Sequence, residues 1–482
     1  MEFQDIIEQN KSEMIQALQE LIRIKSVKEA PCQTEKGVLL PFGAGVEEAY
    51  QYVLKLGRKM GFTVKDADHY GGHIEWKAED PNAEIFGIAA HIDVVPEGDG
   101  WSVDPYGAVQ VEDWIMGRGT QDDKGPLISC LYAMKALKDA GYTPSRTIRL
   151  IIGLDEETEQ EGMRHYLEAE GMPDLGITPD GEFPLTHGEM GNMEVHLVSR
   201  MKKYSPKDGL ILSKVAAGVA PNVVPASARA VVSTANKEQY SLIRDMAQSF
   251  SEETGYHVKT KKVGSSLSIE AAGISAHGAD PHLGLNAISV LMAFLGRLSF
   301  ISDEITEWIQ YYNEHIAFHL HGEGLGCPLE DDVSGKLVCN VGMMEVGNDV
   351  ATVVINIRYP VTHTSESVYE GIEKSLEDTR IGMLKVEDAH PVYTPLEDPF
   401  VQELLKVYRE ESGDNESQPF VDRGGTYAKS LRKTVAFGAL FPTDEDRMHQ
   451  SDERIHRDVL VKLARIYGLM MYRLCMKQSE AE

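Results

Sequence analysis

The chain has 482 residues, more than one hydrophobic core normally organises, so two domains are expected. Its 47 Lys and Arg against 76 Asp and Glu give a net charge of −29, which repels nucleic-acid phosphates and anionic lipid headgroups and argues against both as partners. A hydrophobic content of 42% is that of a folded globular protein rather than a disordered or membrane-embedded one.

Taken in chain order, residues 1–24 are expected to form an amphipathic helix, with Ile6, Ile7, Met14, Ile15, Leu18, Leu21 and Ile22 near helical spacing. A second helix over 46–60 stops at Gly61. EIFGIAA (84–90) reads as a buried strand leading into His91, and 125–141 as a helix with Pro126 in its first turn and Gly141 just past its end. RTIRLIIGL (146–154) is a strand running into an acidic cluster, 161–171 a short helix, 434–442 another strand, and 456–476 the last helix. This alternation predicts an α/β layer with a mostly parallel sheet flanked by helices. From about 190 to 390 the pattern changes to short alternating strands such as ARAVVST and ATVVINIRYP, with helices at 239–253 and 366–379. Strand–helix–strand recurs at 224–262 and 345–387 with weak similarity, which suggests an inserted, internally duplicated α+β lid. The expected division is a discontinuous catalytic domain, 1–188 with 391–482, interrupted by a lid at 189–390.

No stretch approaches the roughly 20 apolar residues of a membrane helix, and the acidic, polar start MEFQDIIEQNKSEM is unlike a signal peptide. The five cysteines lie far apart without C-x-x-C pairing, which excludes a thiolate zinc knuckle and argues against a disulfide framework. A reducing, cytoplasmic setting is expected.

Five segments carry candidate chemistry. His91 stands at the C-terminal end of a strand, where open α/β sheets place ligands. Asp93, two residues on, points the same way in extended chain and its carboxylate can accept the imidazole's other N–H. In GRGTQDDKGP (117–126), Asp122 and Asp123 precede a helix, and Asp123 suits a capping role. No G-x-x-x-x-G-K-[ST] or G-x-G-x-x-G motif is present, so nucleotide binding is disfavoured. Glu156 and Glu157 follow a strand in LDEETEQEG, Asp180 follows one in GITPDGEFP, and His449 lies in MHQSDE. Any one of these could be a solvated surface pair or an acidic turn. Together they put two histidines and several carboxylates at strand ends, a nitrogen and oxygen donor set suited to zinc, manganese or cobalt. Serine and thermolysin-type schemes fit worse: H-E-x-x-H is absent, and in GISAHG (273–278) His277 replaces the second glycine of G-x-S-x-G.

HIDVVP, GRGTQDDKGP, DEET, PDGEFP and MHQ, in this order, resemble the co-catalytic metallopeptidase family of aminoacylases, glutamate carboxypeptidases, desuccinylases and carnosinases. PDGEFP, GVAPNVVP, GISAHG and GGTY are most similar to its bacterial dipeptidase V branch, the carnosine- and Xaa-His-cleaving type. The resemblance implies that His91 and Asp180 hold one divalent ion, Glu157 and His449 the other, and that Asp122 bridges them. Asp93 would orient His91, and Glu156 would be the general base toward a water activated by both ions. In the lid it assigns Asn222, His277 and Arg358 to the substrate; the plainer alternatives are a turn cap for Asn222 and a surface strand position for Arg358. It implies a metal-dependent dipeptidase for small peptides with two ions per chain, zinc first and manganese or cobalt next. Many relatives dimerise through a small lid to borrow a histidine; this insert is large enough to supply one in cis, so a monomer is expected, with a dimer as the alternative. The rival readings are an N-acyl amino acid deacylase or desuccinylase, and a catalytically silent metal-binding protein.

Overall fold

The computed structural model describes residues 2–347 and 349–477. Residue 1 of the first expected helix, residue 348 of the second strand–helix–strand segment and residues 478–482 of the catalytic part lie outside the described residues. The chain divides into two compact units, Met1–Gly188 with Tyr393–Phe420 and Gly425–Glu482, and Glu189–Val392 with Val421–Gly424.

In the first unit, the apolar runs read from the sequence form adjacent buried strands. Neighbours in the sheet follow the order Thr186–Glu189, Thr434–Ala436, Leu175–Thr178, Ile85–His91, Thr147–Gly153, Gly72–Trp76, Thr63–Asp66. The four strands from Thr434–Ala436 to Thr147–Gly153 are mutually parallel, while Thr186–Glu189, Gly72–Trp76 and Thr63–Asp66 pair antiparallel at the margins. Parallel strands buried on both faces need no polar alternation, and Ile85–His91 is buried at six of its seven positions. Gly87 and Gly176 face each other across one parallel pair. A Cβ on Gly176 would lie 2.2 Å from the Gly87 carbonyl oxygen, so the close approach there demands glycine.

Helices cover the sheet. Lys124–Asp139 is buried along almost its whole length and packs against Arg457–Cys475 within one core. The N-terminal segment forms two helices, Phe3–Gln9 and Lys11–Ile22, interrupted at Asn10, rather than one. The last parallel strand ends at Ala436 instead of reaching residue 442; beyond it the chain keeps only an isolated parallel bridge, Glu182 to Leu440. The two marginal strands Thr63–Asp66 and Gly72–Trp76 carry no long apolar run, and the sequence pattern did not mark them.

The second unit is built on an eight-stranded antiparallel sheet, in the order Val258–Val263, Ser266–Ala272, Ser227–Ser233, Ile211–Ala217, Val338–Val346, Val350–Tyr359, Gly191–Arg200, Ile381–Ala389. Each half contains a split β-α-β unit. Ser227–Ser233, helix Glu238–Thr254 and Val258–Val263 enclose Ser266–Ala272. Val350–Tyr359, helix Ser365–Ser375 and Ile381–Ala389 enclose Gly191–Arg200. The enclosed strand follows its unit in the first half and precedes it in the second, so the halves match in space but not in linear order.

Candidate active site

Three neighbouring parallel strands end at one sheet edge and deliver their following residues there. Ile85–His91 ends on His91 itself, Thr147–Gly153 leads into Asp155, Glu156 and Glu157, and Leu175–Thr178 leads into Asp180. Asp122 arrives from the loop before helix Lys124–Asp139, across a cis Asp122–Asp123 peptide. His449 comes from the loop after the fourth parallel strand and adopts φ +61°. A non-glycine residue held in the left-handed region costs free energy and is found preferentially at functional sites.

These side chains form two trios, His91 with Asp122 and Asp180, and Asp122 with Glu157 and His449; within each trio one donor atom per residue lies within 4.8 Å of the others. The two oxygens of Asp122 are divided between them. Oδ1 is 2.9 Å from His91 Nε2, which is 3.5 Å from Asp180 Oδ2. Oδ2 is 2.9 Å from His449 Nε2, which is 3.1 Å from Glu157 Oε2. His91 Nε2 and Asp122 Oδ1 are buried, and neither has a hydrogen-bond partner of good geometry. Buried donor atoms that converge on one another with no other partner suit a cation held between them. The set of two imidazoles and three carboxylates therefore fits a pair of divalent ions of the zinc, manganese or cobalt kind.

The electrostatics agree with an anionic cavity made for positive charge. Burial, reinforced by Asp180, Glu157 and Asp93, pushes the Glu156 carboxyl well above the usual carboxylate range. Burial and Asp122 raise Glu157 to about 7 and act in the same direction on Asp180. Asp122 is the exception: burial opposes its charge, but His449 and His91 outweigh burial and hold it low. His449, whose side chain is 56% exposed, is raised to about 11 by Asp122 and Glu157.

The supporting shell adds contacts to the sequence reading for Asp93 and differs from it for Asp123. His91 Nδ1 is 3.0 Å from the backbone carbonyl of Asp93, while the Asp93 carboxylate lies farther, at 3.4 Å. The other oxygen of that carboxylate accepts the Glu157 backbone N–H at 3.1 Å, tying two loops together. Asp123 was expected to cap its helix; its carboxylate makes no capping bond and accepts the His91 backbone N–H at 3.1 Å. Further residues went unassigned. Asp155, fully buried, accepts the N–H groups of Glu161 and Gly162 and so fixes the turn bearing Glu156 and Glu157. Gln160 donates to Glu156 Oε1 at 2.8 Å and accepts from the Ser430 hydroxyl at 3.2 Å. Tyr427 packs edge-on to His91 with ring centroids 6.4 Å apart. Asp155 was visible as the first acid of its cluster, and Tyr427 as the end of GGTY; the partner of Gln160 lies 270 residues away and left no local signal.

Asn222, His277 and Arg358 belong to the second unit. Asn222 and His277 are both exposed, on neighbouring segments joined by a Val223–His277 bridge and by the Gly278 N–H donating to the Asn222 carbonyl at 2.7 Å. The Asn340 amide donates to Pro221 and Val223 carbonyls on either side of Asn222. Arg358 is not the surface strand residue of the plainer alternative: it is 5% exposed. Its Nε donates to Asn356 Oδ1 and its Nη1 to the Arg423 carbonyl. Burial lowers its pKa to about 10, which leaves it a cation at neutral pH.

Among the described residues, no helix is long and apolar enough to cross a membrane. The sequence profile of Peptidase family M20/M25/M40 matches residues 87–473. A Bacillus subtilis protein described as "Putative dipeptidase YtjP" is 34% identical over 469 residues, covering 96% of this chain and 97% of its own length. A Staphylococcus saprophyticus protein described as "Putative dipeptidase SSP1012" is 34% identical over 482 residues, covering 99% and 100%. In fold the chain is similar to human carnosine dipeptidase 1, with TM-score 0.53, 16% identity and coverage of 97% and 98%. It is also similar to aminoacylhistidine dipeptidase from Vibrio alginolyticus, with TM-score 0.54, 14% identity and coverage of 96% and 97%. This chain belongs to peptidase family M20/M25/M40 and is a hydrolase of peptide bonds.

Proposed function

We propose that the protein is a two-metal dipeptidase acting on unblocked dipeptides, with zinc as the first choice of metal and manganese or cobalt as alternatives. The observation that carries the reading is the Asp122 carboxylate, whose two oxygens serve two separate donor trios. Two bound cations would supply Lewis-acid polarisation of the scissile carbonyl and acidify the attacking water. His91 and Asp180 would hold one, Glu157 and His449 the other. Glu156 takes the proton of the water and returns it to the leaving amine, with Gln160 fixing the direction of its carboxylate. Asp93 and Asp123 hold the His91 segment and the Glu157 loop in register.

The second unit supplies the substrate contacts. A guanidinium fixed by Asn356 and Arg423 loses little entropy on pairing with a peptide C-terminal carboxylate. His277 is assigned to the scissile carbonyl oxygen and Asn222 to the peptide backbone. The names of the relatives at 34% identity favour a dipeptide over an N-acyl amino acid.

A panel of six substrate classes and two enzymes tests this. Unblocked dipeptides, including those with a β-amino acid or a C-terminal histidine, are expected to be cut best, tripeptides more slowly and N-acetylated dipeptides slowest. Arg358→Ala is expected to raise KM for a dipeptide about 10–100-fold, the effect of losing one charge-assisted contact, and to matter far less for a dipeptide amide. Preferred hydrolysis of N-acetyl or N-succinyl amino acids would replace the dipeptidase reading with a deacylase.

A further inference from the structure

We propose that Glu453 is a positioning residue that fixes the Asp122 loop and joins it to the segment bearing His449, so that it sets the affinity of the ion sites without touching an ion. The inference rests on the ligand roles proposed above. Glu453 is fully buried, four residues after His449 at the end of MHQSDE. Its carboxylate collects a donor from every residue of 118–122. Oε2 accepts from Arg118 Nη1 at 2.7 Å and the Gly119 N–H at 3.0 Å. Oε1 accepts from the Gln121 N–H at 2.8 Å, the Asp122 N–H at 3.3 Å and the Thr120 hydroxyl at 3.4 Å. The Glu453 backbone carbonyl also accepts from the Gly117 N–H at 2.9 Å. The loop is thus wound around one anion, with Gly119 at φ +90° allowing the turn.

This arrangement is specific for a carboxylate. Both oxygens face N–H groups, so an amide in place of the carboxylate confronts donor with donor whichever way it is flipped. Asp122 is the ligand common to both trios, and a shift of its backbone N–H moves both of its oxygens relative to His91 and His449. A role confined to stability would act on the whole unit; the contacts here converge on the peptide of a single ligand and on the segment of a second.

The test uses the full-length chain stripped of metal and titrated with cobalt(II), read by visible absorption, and with zinc(II), read by calorimetry. Melting temperature is measured with and without metal. Glu453→Gln is expected to weaken ion binding roughly 10–100-fold, as loss of supporting contacts to metal ligands does, to change the cobalt absorption spectrum, and to reduce the metal-induced rise in melting temperature. Glu453→Asp keeps both acceptor oxygens but is one methylene short; it is expected to show a smaller loss in the same direction, and serves if the glutamine variant does not fold. Native affinity and spectrum in the folded variant, or a fall in the melting temperature of the metal-free protein with an undiminished metal-induced rise, would overturn the proposal. Asp122→Asn is the control. If it binds two ions like the parent, the ligand assignment itself fails; if it loses them while Glu453→Gln does not, only the role of Glu453 fails.

Discussion

Glu156→Gln is expected to keep both ions and the native fold while losing turnover by about 10²–10⁴-fold, the usual contribution of a positioned general base. Glutamine is nearly isosteric and can still meet the Gln160 amide through its carbonyl oxygen, so the contact at 2.8 Å need not be lost. What it cannot do is take a proton. Its position at the cluster also argues for an effect on kcat rather than KM, because proton transfer occurs only as the reaction proceeds. Steady-state kinetics with elemental analysis of the same sample checks it. A glutamine variant with native turnover would remove Glu156 from the reaction, and one lacking metal would make it a ligand instead of a base.

Removing ligands is expected to separate into two classes. Asp122 belongs to both trios, so Asp122→Ala should impair both ion sites and abolish turnover. A carboxylate shared between two cations would also offset their mutual repulsion, so its loss is expected to act on the pair and not only on each ion. Glu157→Ala and Asp180→Ala each disturb one trio and are expected to leave one ion bound. Equilibrium dialysis followed by elemental analysis distinguishes the classes. Equal metal content in all three variants would contradict the division of Asp122 between two sites.

The parts of this protein legible in its sequence are those in which residues close in the chain do the work. Uniformly apolar runs such as IFGIAAH and TIRLIIG announce parallel strands because both faces are buried, and acids or histidines immediately after them stand at the sheet edge. That is why His91, Glu157 and Asp180 stand out from local pattern, whereas Asp122, before a helix, and His449, in a long loop beyond Ala436, are singled out by the motifs that resemble the metallopeptidase family. Residues that answer to distant partners were hidden. Glu453 meets the 118–122 loop across more than 330 positions, and Asp123 gives its carboxylate to His91 and not to its own helix. Asp93 meets the imidazole with its backbone carbonyl at 3.0 Å as well as with its carboxylate at 3.4 Å, a backbone contact that the sequence does not show. The marginal strands were missed for different reasons: Thr63–Asp66 alternates exposed and half-buried positions, while Gly72–Trp76 is mostly buried but carries the polar His73 and Glu75 in its apolar pattern. The relation between the two halves of the second unit was only faintly visible, since a strand that follows in one half precedes in the other.

The most direct measurement is dipeptide hydrolysis by the chelator-stripped protein, titrated with zinc, manganese or cobalt while bound metal is counted by elemental analysis. Two trios sharing one carboxylate predict that stripping abolishes turnover and that it returns in step with binding, reaching its maximum at two ions per chain. Full turnover from exhaustively dialysed protein in which no metal is found would contradict it.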